Sequence, residues 1–269
     1  MKLKVNISTC PNDTFMFDAL LHRRIDTEGV EFEPRLADIE ELNRLALSGE
    51  ADITKCSYAV VPQIIDEYQI LNSGSALGRG NGPLLVSKRP LDRNGLSGLT
   101  VAIPGERTTA NLLLKSLFPE MQDKREMLFS EVIPAVVAGK ADAGVLIHEG
   151  RFVYREKGLS LVADLGMEWE TRYGLPLPLG AIAVRRSLPE ELKRKMDRLL
   201  SRSVGYAFEN PDESRAFIKR YAKELDDDVI RSHIDLFVNS YSLDLGEEGR
   251  KAVARLIGDS MPADRRWFV

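Results

Sequence analysis

The sequence GKADAGVLIHEG, residues 139–150, combines a turn, an apolar run and a histidine. Val145, Leu146 and Ile147 form a continuous apolar segment bounded by glycines, which is typical of a parallel strand covered on both faces. His148 follows this segment directly. In open α/β sheets, ligands bind just beyond the carboxyl ends of the strands. A histidine at that place can act as a base near neutral pH, or it can be a half-buried loop residue that ends the strand.

A similar pattern occurs earlier in the chain, at residues 45–53. In both segments an apolar helix ends at a glycine, and Ala-Asp and a strand follow. Ser57 lies eight residues after Gly49, and His148 lies nine residues after Gly139. The repetition predicts two similar halves with Ser57 and His148 at corresponding strand ends and a ligand cleft at the domain interface. The same junction is common in α/β proteins and can also recur by chance.

The order of elements along the chain extends this interpretation. Strands and helices alternate up to residue 87, a second strand–helix set covers residues 99–165, and long helices finish the chain. This order predicts an α/β protein with two lobes, each a mixed sheet flanked by helices. We predict a discontinuous large lobe of residues 1–88 and 185–269 and a small lobe of residues 89–184, joined by two crossings as in a clamshell.

Thr108 and Thr109 mark a second candidate binding position. They follow the predicted strand at residues 99–103 and open a helix. The start of a helix presents backbone N–H groups, and here hydroxyls as well, which suit a carboxylate or a phosphate. A threonine that only caps the helix gives the same sequence pattern.

Composition and charge exclude several classes of protein. The 269 residues carry a formal net charge of −4, with basic and acidic residues interspersed. There is no basic stripe, which argues against nucleic-acid binding, and no apolar run approaches the ~20 residues of a membrane helix. Cys10 and Cys56 are the only cysteines, and no Cys/His cluster has metal-ligand spacing. The chain as given begins without an apolar signal-peptide core, so we expect a cytoplasmic protein.

Several motifs together resemble the family of 1,4-dihydroxy-6-naphthoate synthases, the lyases of the futalosine route to menaquinone. The motifs span nearly the whole chain and lie at residues 8–15, 54–59, 74–80, 147–152, 174–180 and 239–246. The resemblance implies the type 2 periplasmic-binding-protein fold. It also implies conversion of cyclic dehypoxanthine futalosine to 1,4-dihydroxy-6-naphthoate, with release of a small sugar-derived fragment. No metal and no other cofactor is expected, and the only expected partner is a small-molecule carboxylate substrate, with no nucleic acid and no membrane.

The resemblance also assigns roles to residues. His148 aligns with the family's base. The candidate substrate-binding residues are Asn12, Asn43, Lys55, Ser57, Tyr58, Arg79, Thr108 and Thr109. Thr9 and Gly150 depart from the family pattern, in which proline and serine are expected, and Gly150 can loosen the loop that holds His148.

Two other functions stay open on the sequence alone. Chorismate dehydratase, a related enzyme of the same route, would also bind a carboxylate and carry out an elimination. A solute-binding or ligand-sensing protein would have the same fold without catalysis. An export signal, a lipid-anchor cysteine or a DNA-binding helix-turn-helix would favour the second alternative, and none is evident. The sequence does not predict the oligomeric state.

Overall fold

The computed structural model describes residues 1–222, 226–262 and 266–269, apart from the side chain of Asn94. The strands are β1 (Lys2–Ser8), β2 (Glu31–Ala37), β3 (Ile53–Ser57), β4 (Tyr68–Ile70), β5 (Ala76–Gly78), β6 (Leu84–Ser87), β7 (Val101–Ile103), β8 (Lys124–Glu126), β9 (Ala143–Leu146), β10 (Ser160–Asp164) and β11 (Leu177–Arg185). The helices are α1 (Pro11–Leu21), α2 (Ile39–Ser48), α3 (Val61–Ile64), α4 (Thr109–Leu117), α5 (Phe129–Val137), α6 (Gly150–Val153), α7 (Leu165–Tyr173), α8 (Glu190–Glu209), α9 (Arg215–Tyr221), α10 (Asp227–Phe237), α11 (Ser240–Leu243) and α12 (Gly246–Ile257). None of these helices is long and apolar enough to cross a membrane.

The chain divides into two compact units. Unit 1 comprises Met1–Gly78 and Pro178–Val269, and unit 2 comprises Arg79–Leu177. Both junctions lie earlier in the chain than the boundaries suggested by the sequence, after residues 88 and 184. The difference follows from strand pairing: β6 pairs with β9 and β10 of unit 2, whereas β11 pairs with β3 and β4 of unit 1.

Unit 1 contains a mixed sheet in the order β2-β1-β3-β11-β4, with β5 paired to β11. β1 is parallel to β2 and β3, and β11 is antiparallel to β3 and β4. Pro34 lies on β2 at the edge of the sheet, where a residue without a backbone N–H is tolerated. The main core joins β1 to α1 and α8, with Ile7, Phe17 and Leu199 almost completely buried.

Unit 2 contains a second mixed sheet, in the order β10-β6-β9-β7-β8. β7 is parallel to β8 and β9, and β6 is antiparallel to β9 and β10. β3 of unit 1 and β9 of unit 2 therefore occupy equivalent positions, each between a parallel and an antiparallel neighbour. These are the two strands that follow the repeated sequence pattern.

Close packing of α5 on β9 fixes the strand that leads to His148. A Cβ atom placed on Gly144 of β9 would lie 2.6 Å from Val132 Cγ1 and 2.8 Å from Val136 Cγ2, both on α5. Only a residue without a side chain allows this approach. The helix and the strand are consequently one packed layer, and their core includes the buried Leu146 at the end of β9.

Candidate functional site

His148 lies in the short segment between β9 and α6, and its backbone is left-handed, with φ of +54°. This conformation costs a residue with a Cβ roughly 1–2 kcal/mol, because the Cβ crowds the following carbonyl. Strain of this kind occurs preferentially at functional sites. The imidazole is partly exposed and packs edge-on against the ring of Phe129, with the ring centroids 4.9 Å apart. The loop thus holds a titratable side chain at the end of a buried strand.

Thr108 is the N-cap of α4, and its hydroxyl is engaged within the protein. It accepts a hydrogen bond from the backbone N–H of Asn111 (3.2 Å) and donates one to the carbonyl of Gly105 (2.8 Å). The first-turn N–H groups of the helix, together with Thr109, are then the groups suited to an anion. Both threonines are buried. The capping and binding interpretations are therefore compatible, because the cap shapes the helix start that an anion would meet.

Asn111, in the first turn of α4, was not singled out by the sequence. Its Nδ2 donates to the carbonyl of Glu106 (2.8 Å), while its Oδ1 is buried and accepts no hydrogen bond from any described residue. A buried polar atom without a partner is uncommon. It is an acceptor on a first-turn residue of the helix, and no sequence pattern signals it.

Ser57 ends β3 in unit 1 and is held by Asn43 of α2 through two hydrogen bonds. The backbone N–H of Ser57 donates to Asn43 Oδ1 (2.8 Å), and Asn43 Nδ2 donates to Ser57 Oγ (3.1 Å). Because Oγ accepts this bond, its own O–H remains a donor, and no acceptor for it lies among the described residues. Asn43 therefore orients Ser57 as a hydrogen-bond donor.

Lys55, on the same strand, forms a buried ion pair with Asp13 of α1. The Nζ and Oδ1 atoms are 2.7 Å apart, and the two side chains are 5% and 0% exposed. Asp13 also accepts hydrogen bonds from the backbone N–H of Ser8 (3.1 Å) and from Asn12 Nδ2 (2.9 Å). An ammonium has three N–H donors, and the part of the chain that the structure describes accepts one of them. The charge of Lys55 is thus balanced inside unit 1, and donors remain for a ligand.

Gly180 on β11 makes room for the Lys55 side chain. Gly180 pairs with Ser57 across the sheet, and a Cβ placed on it would lie 2.9 Å from Lys55 Cε. Packing against Lys55 therefore explains why glycine occupies position 180, the last residue of the motif at residues 174–180.

The carboxamide of Asn12 is bonded on both sides. Its Oδ1 lies 3.0 Å from Nε2 of His233 on α10, and its Nδ2 donates to Asp13. Because Asn12 Nδ2 donates to a carboxylate, the atom that faces His233 is the amide oxygen, which only accepts. The hydrogen-bonding proton is therefore on His233 Nε2. His233 is completely buried. Its contact with Asn12 joins residues far apart in the chain, so no local pattern could reveal it.

Tyr58, also predicted to bind substrate, has its side chain in the interior of unit 1. Its ring is completely buried, and its hydroxyl lies 2.7 Å from Ser75 Oγ. Burial raises the pKa of the phenol. Arg79, in contrast, is exposed in unit 2, and its Nη2 donates to the carbonyl of Gly174 (3.0 Å).

The structure therefore joins Asn12, Lys55 and Asp13 in one network, and Asn43 and Ser57 in a second. Within residues 1–222, 226–262 and 266–269, no cluster of three or more His, Cys, Asp or Glu side chains is arranged to hold a metal ion.

Comparison with known proteins identifies the family. The family described as menaquinone biosynthesis matches residues 3–259. The 1,4-dihydroxy-6-naphthoate synthase of Thermus thermophilus is 49% identical over 273 residues, covering 99% of each chain. The enzyme of the same name from Streptomyces coelicolor is 42% identical over 95% of this chain and 91% of the other. The chain belongs to the 1,4-dihydroxy-6-naphthoate synthase family.

Solved structures establish the fold. A protein of Archaeoglobus fulgidus, 37% identical, superposes with a TM-score of 0.90 over 96% of each chain. A Candida albicans protein described as having the generic periplasmic-binding-protein fold superposes with a TM-score of 0.69 at 11% identity, covering 97% of this chain and 90% of that one. The expected α/β fold with two mixed sheets is thereby confirmed. The relatives from Thermus thermophilus and Streptomyces coelicolor carry the name of an enzyme.

Proposed function

We propose that the protein is a carbon–carbon lyase that converts cyclic dehypoxanthine futalosine to 1,4-dihydroxy-6-naphthoate in menaquinone biosynthesis. The observation that carries the proposal is the 49% identity, over nearly the full length of both chains, to an enzyme named for this product. Nothing in the named relatives favours chorismate dehydratase or a solute-binding role. The cytoplasmic location stays a prediction from the sequence.

His148 is the proposed base. Its neutral imidazole removes a proton from the spirocyclic ring system of the substrate, and carbon–carbon cleavage follows as the naphthalene ring becomes aromatic. A positioned base contributes roughly 10²–10⁴ to the rate. The left-handed backbone and the contact with Phe129 support this assignment, because they define the direction of the ring before substrate arrives.

The start of α4 is the proposed site for the aryl carboxylate. Backbone N–H groups at a helix start, with Thr109 beside them, stabilise a negative charge. Thr108 keeps the first turn in shape through its cap. The buried Oδ1 of Asn111 suits a substrate hydroxyl, since a hydroxyl can donate to an acceptor that a carboxylate would avoid.

In unit 1, Ser57 and Lys55 are the proposed donors to ring oxygens of the substrate. The hydroxyl of Ser57 is oriented for donation by Asn43, and Lys55 brings a positive charge that Asp13 holds in place. Asn12 supports this network through Asp13 and His233, so we assign it a supporting role in addition to the sequence-based proposal of direct contact.

The test is incubation of the purified protein with cyclic dehypoxanthine futalosine, followed by mass spectrometry and absorbance of the naphthoate. We expect 1,4-dihydroxy-6-naphthoate and the sugar-derived fragment in equal amounts. Chorismate, incubated in parallel, is expected to remain unchanged. Dehydration of chorismate would identify the related enzyme, and recovery of unchanged futalosine derivative bound to folded protein would identify a binding protein.

A further inference from the structure

Arg151 lies three residues after His148, in the first turn of α6, and connects this turn to two other segments of unit 2. Its Nη1 donates to the carbonyl of Gly82, and its Nη2 lies 3.2 Å from Asp164 Oδ2. The side chains of Arg151 and Asp164 are 14% and 12% exposed, so the pair is largely shielded from water. Ion pairs shielded in this way are weakened less by salt than exposed ones.

Both partners of Arg151 belong to rigid structure. Asp164 ends β10 and caps α7, its Oδ1 accepting from the backbone N–H groups of Gly166 (2.9 Å) and Met167 (3.1 Å). The segment at Gly82 is packed directly on α7, since a Cβ on Gly82 would lie 2.2 Å from the Cα of Gly166. The guanidinium thus bonds to a fixed junction.

The segment that Arg151 holds has little stability of its own. α6 spans Gly150–Val153, a single turn, and a helix of this length is not stable in isolation. Its far end is anchored by Tyr154, which is buried in the core of unit 2. Its near end follows the left-handed residue His148 and begins with Gly150, whose backbone is conformationally free. Arg151 provides a polar anchor at this near end.

We propose that Arg151 is a positioning residue for His148. Its two hydrogen bonds fix the start of α6 and so maintain the strained backbone that directs the His148 imidazole. The inference deepens the proposed function, on which its catalytic consequence rests, whereas its structural consequence can be measured without turnover. The sequence suggested that Gly150 loosens the loop that holds His148. The hydrogen bonds of the next residue, Arg151, restrict the backbone of Gly150 and so oppose this loosening.

The planar fork of arginine is what the arrangement requires. One guanidinium reaches both a backbone carbonyl and a carboxylate through separate nitrogens. Lysine carries the same charge on a single nitrogen and cannot reproduce this geometry. Arg151→Lys is therefore expected to lie between wild type and Arg151→Met in every measurement. Arg155→Met is the matched control, because Arg155 follows the same turn, is exposed, and within the described residues its guanidinium contacts its neighbour Tyr154, through the hydroxyl and the ring.

The first measurement is two-dimensional NMR of the imidazole rings. The chain has three histidines, so His22→Asn and His148→Asn assign all three spin systems. We expect Arg151→Met to shift or broaden the His148 signals, while His22 and the completely buried His233 keep theirs and report an intact fold. Arg155→Met is expected to leave all three unchanged. Wild-type His148 signals in folded Arg151→Met protein would overturn the proposal.

The second measurement is steady-state kinetics with cyclic dehypoxanthine futalosine. A base displaced by about 1 Å loses roughly 10²-fold in rate, so we expect kcat to fall about 10- to 100-fold with KM changed less than about threefold. A raised KM with unchanged kcat and unchanged His148 signals would contradict the proposal and make Arg151 a substrate ligand. If wild type lacks the lyase activity, the proposed function fails, while the NMR result still decides whether Arg151 positions His148. If Arg151→Met does not fold, Arg151→Lys provides the same comparison.

Discussion

Replacement of Asp13 by asparagine removes the countercharge of a buried lysine while preserving the size of the side chain. The Lys55 ammonium would remain in an environment where its side chain is 5% exposed, 2.7 Å from an amide that carries no charge. Breaking a buried ion pair by removal of one partner costs about 3–5 kcal/mol, because a charge is left without compensation. At roughly 2–4 °C per kcal/mol for chains of this size, the melting temperature should fall by about 6–20 °C.

The assay is thermal unfolding of wild type and Asp13→Asn, followed by circular dichroism at neutral pH. The double variant Asp13→Asn/Lys55→Met removes both charges and is expected to recover part of the loss. The exposed pair of Lys2 and Glu33 supplies the control, since at 59% and 56% exposure it is solvated, and Glu33→Gln should leave the melting curve unchanged. A melting temperature for Asp13→Asn within 2 °C of wild type, a margin set by the ~2–4 °C expected per kcal/mol, would refute the reasoning that Asp13 compensates a buried charge.

Three further predictions concern single side chains. Ser57→Ala removes the oriented hydroxyl and should lower kcat/KM about 10- to 100-fold, and it should cost about 0.5–1.5 kcal/mol of stability because Asn43 loses this acceptor; wild-type kinetics would remove Ser57 from the site. Tyr58→Phe breaks the buried hydrogen bond to Ser75 and should cost about 0.5–1.5 kcal/mol of stability with activity retained; loss of activity at wild-type stability would show that the Tyr58 hydroxyl itself contacts substrate. Burial raises the pKa of the Cys56 thiol to about 12, so at pH 8 it stays protonated and unreactive towards a disulfide reagent in the folded protein. Both buried cysteines should react only after unfolding, and modification of Cys56 in native protein would contradict the burial argument.

The repeated sequence pattern predicted the fold because its signals are local. A glycine such as Gly49, left-handed at φ of 67°, ends a helix, and the apolar strand follows within a few residues. This allowed Ser57 and the segment before His148 to be assigned to equivalent strand ends, and β3 and β9 do occupy equivalent positions in their sheets. Pro34 is a local signal of the same kind, because its missing N–H favours an edge strand, and β2 lies at the edge of its sheet.

Partners that are distant in the chain could not be predicted. Lys55 in a buried strand indicates that a compensating group exists, but the pairing with Asp13 depends on how β3 and α1 pack. The contact between Asn12 and His233 joins two residues of unit 1 that are 221 positions apart in the chain. The unit boundaries depend in the same way on the pairing of β6 with β9, which no local pattern specifies.

Two helix starts show where local signals are overridden. Asn210-Pro211 predicts a helix with proline in its first turn, whereas α9 begins at Arg215, because the preceding residues form turns. Ser187 and Glu190 have the spacing of a capping box, yet α8 begins after Pro189 without a side-chain cap. A capping pattern in the sequence is compatible with a helix start at that position, but the conformation of the neighbouring residues determines where the helix begins.

The most direct measurement is the rate of naphthoate formation by His148→Asn with cyclic dehypoxanthine futalosine at saturating substrate. His22→Asn serves as the control, since His22 belongs to unit 1, is exposed and pairs with Asp18 at 2.8 Å. The account predicts a loss of roughly 10²–10⁴ in rate for His148→Asn, at an unchanged melting temperature, and wild-type turnover for His22→Asn. Turnover by His148→Asn at the wild-type rate would contradict the assignment of His148 as the base.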